Sequence, residues 1–472
     1  MKVLLVKSAG YVAEECGAGK PDRVRLPCGI LLAGAYLRRK GYAVDVVNTF
    51  NPSEVDFSPY DVVVSWIPLL EGFYSELEYL RRAKQQSRKT IMILNDPFEG
   101  LEVEVMKKYP FIDYTIRLWE RELALEKLLG KIKEGRGIDA ACDKGIIYRN
   151  SDGDIVDCGR MPPSENLYHL GSCAALLGEM DLSKYDEGQV ETGRGCAFGC
   201  AFCFYQKSRP RKRRPEDIAE EIETLAVKGG LRFTWLHDLD IGSDKMWLSE
   251  LCNLLIKKNL PIRWGSDLRI EHYSDKKFLG MLKSSGCEFL YIGLESVSEI
   301  VQSKIAKRTD PNRIKTAISN CLEAGIVPSV NLIIGFPWDD DMALEEMRRF
   351  VESTPYIDNI QFLRPLRGTT LYDEMRRMGL LTRDLSFEDY IFSRSSPICP
   401  TLYLTKEQLV GWNEKIKIAY SISRFRYDLK HRKISELISM YLGGKFLTFR
   451  RVKVLMSMVG GLFSPDKHAQ KE

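Results

Sequence analysis

The sequence predicts an α/β protein with two parallel-sheet domains in tandem and a helical carboxyl-terminal region. Short β-branched runs alternate with helix-length segments over residues 1–135, and the same alternation restarts at about residue 186. From about residue 399 only helical periodicity remains. Alternation of strand and helix favours parallel sheets covered by helices. A chain of 472 residues has room for about three domains.

The first domain, residues 1–135, is predicted to be a doubly wound sheet. Its strands are continuous apolar runs, which indicates burial on both faces; they fall at 3–6, 44–47, 62–65, 91–94 and 114–116. The connecting helices are predicted at 29–40, 72–85, 100–108 and 120–133. A ligand of such a sheet binds outside the carboxyl ends of the strands, near a reversal in strand order.

Residues 136–185 change character and are predicted to bridge two domains, because Gly and Asp punctuate them and a Pro pair follows a short strand at 145–148. The second domain, residues 186–398, repeats a strand and a helix. Its six strands are predicted near 190–194, 232–236, 262–268, 288–292, 328–334 and 358–363, with helices such as 215–227 and 275–285. This pattern is typical of a partial (β/α)6 barrel, whose chemistry lies at the carboxyl ends of the strands.

The remaining residues, 399–472, are predicted to form a basic helical region. Thr405 and Gln408 form a capping box, and apolar side chains follow at helical spacing, which favours core packing: Leu409, Trp412, Ile416 and Tyr420. Residues 413–472 hold thirteen Lys or Arg against five Asp or Glu. Such a tail is either a solvated helical face, the simpler interpretation, or a surface for a membrane or an anionic partner.

Composition excludes several classes of protein. Hydrophobic residues make up 44% and charged residues 28%, which is ordinary globular usage and not disorder. Twelve cysteines are too sparse for a disulfide scaffold, and the amino terminus lacks the apolar core of a signal peptide, so we expect reduced thiols and a cytoplasmic protein. Without a run of 18 apolar residues, a transmembrane helix is not expected.

The segment that carries chemistry follows the first strand of the second domain. Cys196, Cys200 and Cys203 lie within eight residues, so a loop can bring three thiolates to one metal centre. No histidine is close enough in sequence to complete a structural zinc site. An iron–sulfur cluster with one open iron therefore fits best. The alternatives are a chance grouping, or a zinc site completed by a distant cysteine such as Cys287.

With these cysteines in the order CxxxCxxC, and the aromatic Phe202 before the last of them, the chain resembles the radical SAM superfamily. The resemblance implies that the three thiolates hold a 4Fe-4S cluster whose remaining iron binds S-adenosylmethionine. Reductive cleavage then gives a deoxyadenosyl radical that abstracts hydrogen from an unactivated carbon. The cofactors carry this chemistry while the protein provides placement, and a flavodoxin, ferredoxin or reductase is the implied electron donor.

Further motifs at strand ends extend the resemblance: residues 264–269, 293–296, 334–337 and 367–369. Together with the cysteine motif and the end of the second strand, they imply S-adenosylmethionine contacts from Phe202, Asp238, Arg269, Gly293, Glu295 and Gly335. The planar guanidinium of Arg269 suits the methionyl carboxylate, and a glycine lets the backbone approach the nucleoside. Two alternatives stay open: Glu295 holds a loop, or Asp238, with Asp240, belongs to a solvated turn.

The order of domains resembles the cobalamin-binding branch of the superfamily, in which a Rossmann-like cobalamin-binding domain precedes the radical SAM barrel. The resemblance implies contacts with cobalamin from Ser65, Asn95 and Asp96. The chain lacks DxHxxG, so a histidine ligand to cobalt is not expected from this region, and the usual glycine pairs are replaced by residues 95–97 and 117–120. The alternative is a vestigial domain kept for packing or for substrate contacts.

Two other motifs give little information about function. Residues 17–20 lack the spacing of a phosphate loop, so we discard that interpretation. The basic run Arg209–Arg214 has no interleaved aromatic residues, so it is predicted to be a solvated lip of the active site, and a nucleic-acid partner is not expected.

The leading hypothesis is cobalamin-dependent C-methylation of a small molecule, lipid or natural-product intermediate. The first alternative is a radical SAM ring contraction, epimerisation, cyclisation or carbon–carbon coupling without methyl transfer. The second is a non-catalytic metal-binding adaptor. Aromatic, apolar and basic residues mix over 445–458 in the tail, which suits either a peripheral membrane contact that presents a lipid or a helix that closes the barrel. The sequence does not assign a catalytic residue or a substrate.

Overall fold

A computed structural model describes residues 1–8, 26–49, 51–68, 73–94, 100–117, 119–135, 142–357, 359–391 and 396–431. Within them lie two mainly parallel sheets and a long terminal helix, which confirms the predicted fold class. The predicted contacts Asn95 and Asp96, the discarded motif at 17–20 and the tail beyond residue 431 lie outside the described residues.

The first sheet has seven strands in the order β2-β1-β3-β4-β5-β6-β7. They are β1 (Lys2–Ser8), β2 (Ala43–Thr49), β3 (Val62–Ile67), β4 (Lys89–Leu94), β5 (Tyr114–Ile116), β6 (Ile146–Arg149) and β7 (Ile155–Asp157). The first five run parallel, and β6 and β7 add an antiparallel hairpin to the edge at β5. The hairpin comes from the segment predicted to be a bridge.

Helices cover both faces of this sheet, as in a doubly wound fold. They are α1 (Cys28–Arg39), α2 (Phe73–Gln85), α3 (Leu101–Lys108) and α4 (Arg121–Lys133). Alternate residues of β3 separate the two cores: Val64 and Trp66 pack with α1 and α4, whereas Val63 and Ile67 pack with α2 and α3. This alternation follows from the twofold period of a strand.

The second sheet is a six-stranded, wholly parallel partial barrel in the order β8-β11-β12-β13-β14-β15. Its strands are β8 (Gly188–Glu191), β11 (Phe233–His237), β12 (Arg263–Asp267), β13 (Cys287–Glu295), β14 (Val327–Ile334) and β15 (Asn359–Phe362). A short antiparallel pair, β9 (Gly193–Arg194) and β10 (Arg211–Lys212), follows β8.

Helix α5 (Ala174–Glu179) precedes the barrel, and the other helices cover it or follow it: α6 (Pro215–Val227), α7 (Lys245–Lys258), α8 (Lys276–Ser284), α9 (Glu299–Lys304), α10 (Pro311–Glu323), α11 (Asp341–Ser353), α12 (Thr370–Arg377), α13 (Phe387–Ile391) and α14 (Lys406–His431). The predicted capping box opens α14: the Thr405 amide donates to Gln408 Oε1 at 2.8 Å, and the Gln408 amide donates to Thr405 Oγ1 at 3.3 Å. The apolar stripe of α14 is buried, which confirms core packing.

Two general expectations have clear outcomes. None of the described helices is both long enough and apolar enough to cross a membrane. The expectation that all thiols are reduced is wrong for one pair, because Cys142 and Cys158 form a disulfide with Cα atoms 5.5 Å apart. Cys142 precedes β6 and Cys158 directly follows β7, so pairing of the two hairpin strands brings together cysteines that are sixteen residues apart in sequence.

Candidate active site

The three-cysteine segment forms a closed loop at the carboxyl end of β8. The pair β9 and β10 joins its two ends, and Gly195 adopts φ 90° where an added Cβ would collide with the carbonyl oxygen of Arg209. Inside the loop, the Cys196 amide donates to Ser208 Oγ at 3.0 Å, and that hydroxyl donates to the Tyr205 carbonyl at 2.6 Å. These contacts within the segment close the loop on itself.

The thiols of this loop fit a cluster better than a single ion. Burial raises the pKa of Cys196 and raises that of Cys203 to about 11, so a bound metal must displace the protons. In the part of the chain that the structure describes, no three His, Cys, Asp or Glu side chains are close enough to hold one metal ion. Cys287, the proposed fourth zinc ligand, is instead buried beside Cys252 and Cys321. Three thiolates without a fourth ligand suit a cluster with an open iron.

The basic run Arg209–Arg214 is exposed only at its two ends, so the prediction of a solvated lip is wrong for the three basic residues between them. Arg211, Lys212 and Arg213 are all buried and ion-paired. Their partners lie on three different elements: Glu120 before α4, Asp238 after β11 and Glu221 on α6. The sequence shows the density of positive charge, but opposite charges from distant segments decide whether such a run can be buried.

Asp238 is held by this network. Its carboxylate accepts from Lys212 Nζ at 2.7 Å and from Thr192 Oγ1 at 2.9 Å. The predicted role in binding S-adenosylmethionine stays a prediction, because the structure gives the carboxylate protein partners. Neighbouring Asp267 is the last residue of β12, and its side chain retains exposed surface. Burial, followed by the charge of Asp238, raises the pKa of Asp267 to about 7.

Glu295 and Gly293 lie together at the end of β13. Glu295 has φ 68° and forms an ion pair with Lys307. A Cβ at Gly293 would fall 2.5 Å from Glu295 Oε1, so glycine is needed for this carboxylate to fold back over its own strand. The ion pair with Lys307 supports the alternative that Glu295 holds a loop. Contact with the cofactor stays a prediction for Gly293 and Glu295.

Arg269 links the end of β12 to the cluster loop. Its guanidinium carbon lies 3.4 Å from the centroid of the Phe198 ring, and Nη2 donates to Glu271 Oε1 at 3.0 Å. A guanidinium favours such a position over an aromatic face. The loop and the strand end therefore share one cation, while recognition of the methionyl carboxylate by Arg269 stays a prediction.

The loop after β14 depends on Asp339, a residue that the sequence analysis missed. Gly335 has φ 99°, and the amides of Gly335 and Phe336 donate to Asp339 Oδ2 at 2.8 and 3.0 Å. Asp339 is completely buried, and burial raises its pKa to about 7 even though both amides oppose the shift. Phe336 packs against Phe202, with ring centroids 5.9 Å apart, so this loop contacts the cysteine loop. In the sequence, the signal for this contact was an acidic residue, Asp339, four positions after Gly335.

The concave face of the barrel carries an aromatic floor, which the sequence analysis also missed. Trp235 stacks on Tyr291 at 5.3 Å, although β12 lies between their strands. Gly265 on β12 makes this possible, because an added Cβ would lie 2.7 Å from Trp235 Cζ3. Phe233 and Phe289 pack beside the pair. Alternating aromatic residues on two strands were the available signal.

The carboxyl edge of the first sheet meets the cluster loop. Trp119, which follows β5, packs against Tyr205 and Phe204 at 5.4 and 6.3 Å. Arg194 at the base of the loop binds Glu122 at the amino end of α4 with both terminal nitrogens of its guanidinium. A ligand at this edge would therefore lie close to the cluster loop.

Ser65, a predicted cobalamin contact, lies near the end of β3 but is fully buried. Its hydroxyl donates to Glu76 Oε2 at 3.4 Å on the face of the sheet covered by α2. The side chain is therefore occupied, and a contact with a bound cofactor would have to come from its backbone.

Comparison with known proteins agrees with this site. Residues 190–351 match the family described as the Radical SAM superfamily. Together with the parallel barrel and the cysteine loop, the match defines a radical SAM domain over these residues, and a domain of this class supports an enzyme over a non-catalytic adaptor. The class implies a 4Fe-4S cluster and S-adenosylmethionine as cofactors.

The rest of the chain also has similar proteins. The solved structure of OxsB, a cobalamin-dependent S-adenosylmethionine radical enzyme, has a TM-score of 0.71 and 14% identity over 98% of this chain and 71% of OxsB. The methyltransferase TsrM from Kitasatospora setae has a TM-score of 0.67 and 16% identity over 98% and 99% of the two chains. At these identities the likeness is one of fold, and it covers both domains.

A curated relative is the anaerobic magnesium-protoporphyrin IX monomethyl ester cyclase of Rubrivivax gelatinosus. It is 27% identical over 70% of this chain, and the match spans 60% of the relative's length.

Proposed function

We propose that this radical SAM enzyme uses cobalamin to methylate an unactivated carbon of a small molecule, lipid or natural-product intermediate. One observation carries the proposal: the carboxyl edge of the first sheet is held against the cluster loop by buried ion pairs. Ligands of doubly wound sheets bind at that edge. A cofactor bound there and a cofactor bound at the cluster would thus share one cleft. The solved structures with this fold are named for cobalamin-dependent chemistry or for methyl transfer.

The chain's own residues have separable tasks in this scheme. Cys196, Cys200 and Cys203 hold the cluster, and the loops at Gly293 and Gly335 shape the nucleoside site. Bound together, the cofactors supply an electron, a hydrogen-abstracting radical and a methyl group. The aromatic floor around Trp235 and Tyr291 gives the substrate an apolar surface, and the tight contact between the two domains limits water.

A second candidate has its own support. A radical SAM reaction without methyl transfer, such as a cyclisation, is favoured by the similarity to the cyclase of Rubrivivax gelatinosus. In that case the first domain would hold substrate or cobalamin in a different role. In either case a flavodoxin, ferredoxin or dedicated reductase would provide the electron.

Anaerobic reconstitution with iron, sulfide and hydroxocobalamin tests the proposal. With a chemical reductant, the purified protein should cleave S-adenosylmethionine to deoxyadenosine and retain the corrinoid absorbance after gel filtration. Cys200→Ala should abolish cleavage, whereas Cys321→Ala, which removes a buried thiol of α10 outside the loop, should retain it. Cleavage without corrinoid retention would exclude the cobalamin-dependent reaction and leave the second candidate.

A further inference from the structure

The carboxyl end of β3 holds a hydrogen-bond donor without an acceptor. Trp66 is 2% exposed, and its indole Nε1–H has no partner among the described residues. The ring packs on the face of the sheet covered by α1 and α4. Buried indole N–H groups usually find an acceptor, so this one indicates a group that binds there.

The indole N–H lies beside the amino end of α1. Pro27 caps this twelve-residue helix without a side-chain hydrogen bond, and the first amides of any helix lack an acceptor within it. Gly29 lies in the first turn, and a Cβ added to it would be 3.5 Å from both Trp66 Nε1 and Arg121 Nη2. Cys28 and Gly29 are partly accessible. Donors from three segments therefore converge on an accessible position that has no side chain.

The nearby carboxylates are already engaged. Glu191 binds Arg121 with one oxygen and Arg194 with the other. Glu122 accepts from both terminal nitrogens of Arg194. The positive charges of these two arginines are thus matched, whereas the indole N–H has no acceptor among the described residues. A ligand that suits this position brings acceptor oxygens and does not need a full negative charge.

We propose that Trp66 Nε1–H and the amino end of α1 bind an acceptor oxygen of the corrinoid, either a carboxamide of its ring or the phosphate of its nucleotide. The inference rests on the proposed function, since it places cobalamin at this edge. The residues belong to this chain and are not among those that the sequence predicted for the cofactor. Helix amino ends favour acceptor oxygens of both kinds.

Corrinoid affinity tests the inference without any measurement of activity. Hydroxocobalamin and cobinamide, which keeps the ring carboxamides and lacks the nucleotide phosphate, are titrated into wild type and Trp66→Phe. The variant should bind hydroxocobalamin roughly 3- to 10-fold more weakly, which is the usual effect of one hydrogen bond. An equal loss for cobinamide identifies a carboxamide, and a loss confined to hydroxocobalamin identifies the phosphate.

A second variant covers the helix amides. In Gly29→Ala the added methyl group has ordinary contacts with Trp66 and Arg121, so the protein should fold normally and bind hydroxocobalamin more weakly. Gly130→Ala on α4, where a Cβ would lie 3.7 Å from the Tyr42 hydroxyl, is the matched control and should bind as wild type does.

Thermal unfolding of the unliganded protein separates binding from folding. Both Trp66→Phe and Trp264→Phe put a smaller ring in the core, but only Trp264→Phe also removes a hydrogen bond, to the Ser285 carbonyl at 3.1 Å, so Trp66→Phe should lower the Tm less. Hydroxocobalamin should then raise the Tm of wild type more than that of Trp66→Phe. Equal affinity of wild type, Trp66→Phe and Gly29→Ala would overturn the inference alone; absence of corrinoid binding by wild type would overturn the proposed function with it.

Discussion

Arg194 and Glu122 form a two-pronged ion pair between the base of the cysteine loop and the amino end of α4. Arg194 Nη1 lies 2.9 Å from Glu122 Oε2, and Nη2 lies 2.8 Å from Oε1. The side chains are 8% and 1% exposed. Burial alone would raise the pKa of Glu122, but the charges of Arg121 and Arg194 bring it below its ordinary value. The cluster loop and the first domain are thereby held as one unit.

Glu122→Gln should destabilise the protein by about 3–5 kcal/mol, because it leaves two buried guanidinium groups without a full counter-charge. Glu323→Gln is the control: its partner Lys276 and Glu323 itself are 66% and 57% exposed, so the loss of stability should be small beside that of Glu122→Gln. Urea unfolding of both variants gives the comparison. Similar losses would show that the buried pair does not hold the domains together.

Gly195→Ala should prevent cluster assembly in a protein that still folds. The substitution puts a methyl group against the Arg209 carbonyl at φ 90°, so the loop cannot close around its three thiols. Gly230→Ala is the control for backbone strain without a collision, because Gly230 has φ 64° and nothing lies near its Cβ position. This variant should lose only about 1–2 kcal/mol of stability. Iron content and visible absorbance after reconstitution are measured; a full cluster in Gly195→Ala would contradict the geometry.

Gly265→Ala should displace Trp235 from Tyr291 and destabilise the barrel by roughly 1–3 kcal/mol, the usual cost of overpacking. The contact is with the rigid indole and with the Phe289 carbonyl oxygen at 3.1 Å, neither of which moves easily. Gly280→Ala on α8 meets nothing within 4 Å and should instead stabilise by about 0.5–1 kcal/mol. Near-ultraviolet circular dichroism reports the stacking, and an unchanged spectrum in Gly265→Ala would refute the role of glycine.

The buried carboxyl of Asp339 should make stability depend on pH. Its pKa is raised from 3.8 to about 7, so the folded state holds a proton that the unfolded state has lost, and stability falls as pH rises through that window. The effect of this one group is at most roughly 4 kcal/mol. Asp339→Asn keeps an acceptor for the two amides and should flatten this part of the profile.

Asp267 titrates in the same window with the same sign, so the test is the difference between wild type and Asp339→Asn at each pH. Unfolding free energies measured from pH 4 to pH 8 give that difference. Parallel profiles for the two proteins would show that Asp339 is ionised throughout.

Much of the fold follows from local sequence. The strands at 62–65 and 91–94 are apolar runs of a kind that only a sheet covered on both faces can bury, and they lie in β3 and β4. The capping box at Thr405 is a contact between residues three apart, so the sequence contains both partners. The cysteine loop was predictable for the same reason, since its three thiols lie within eight residues.

The tertiary structure alone decided which charges and donors are buried. Nothing near Arg211 in sequence indicates that Glu120, 91 residues away, neutralises it. In the sequence, Trp66 is indistinguishable from the other apolar residues of its strand. Only the packing of α1 and α4 against it shows that its N–H is buried. The periodicity of a segment determines its secondary structure and its buried face, whereas pairing of charges and hydrogen bonds depends on distances between segments that meet only when both domains pack.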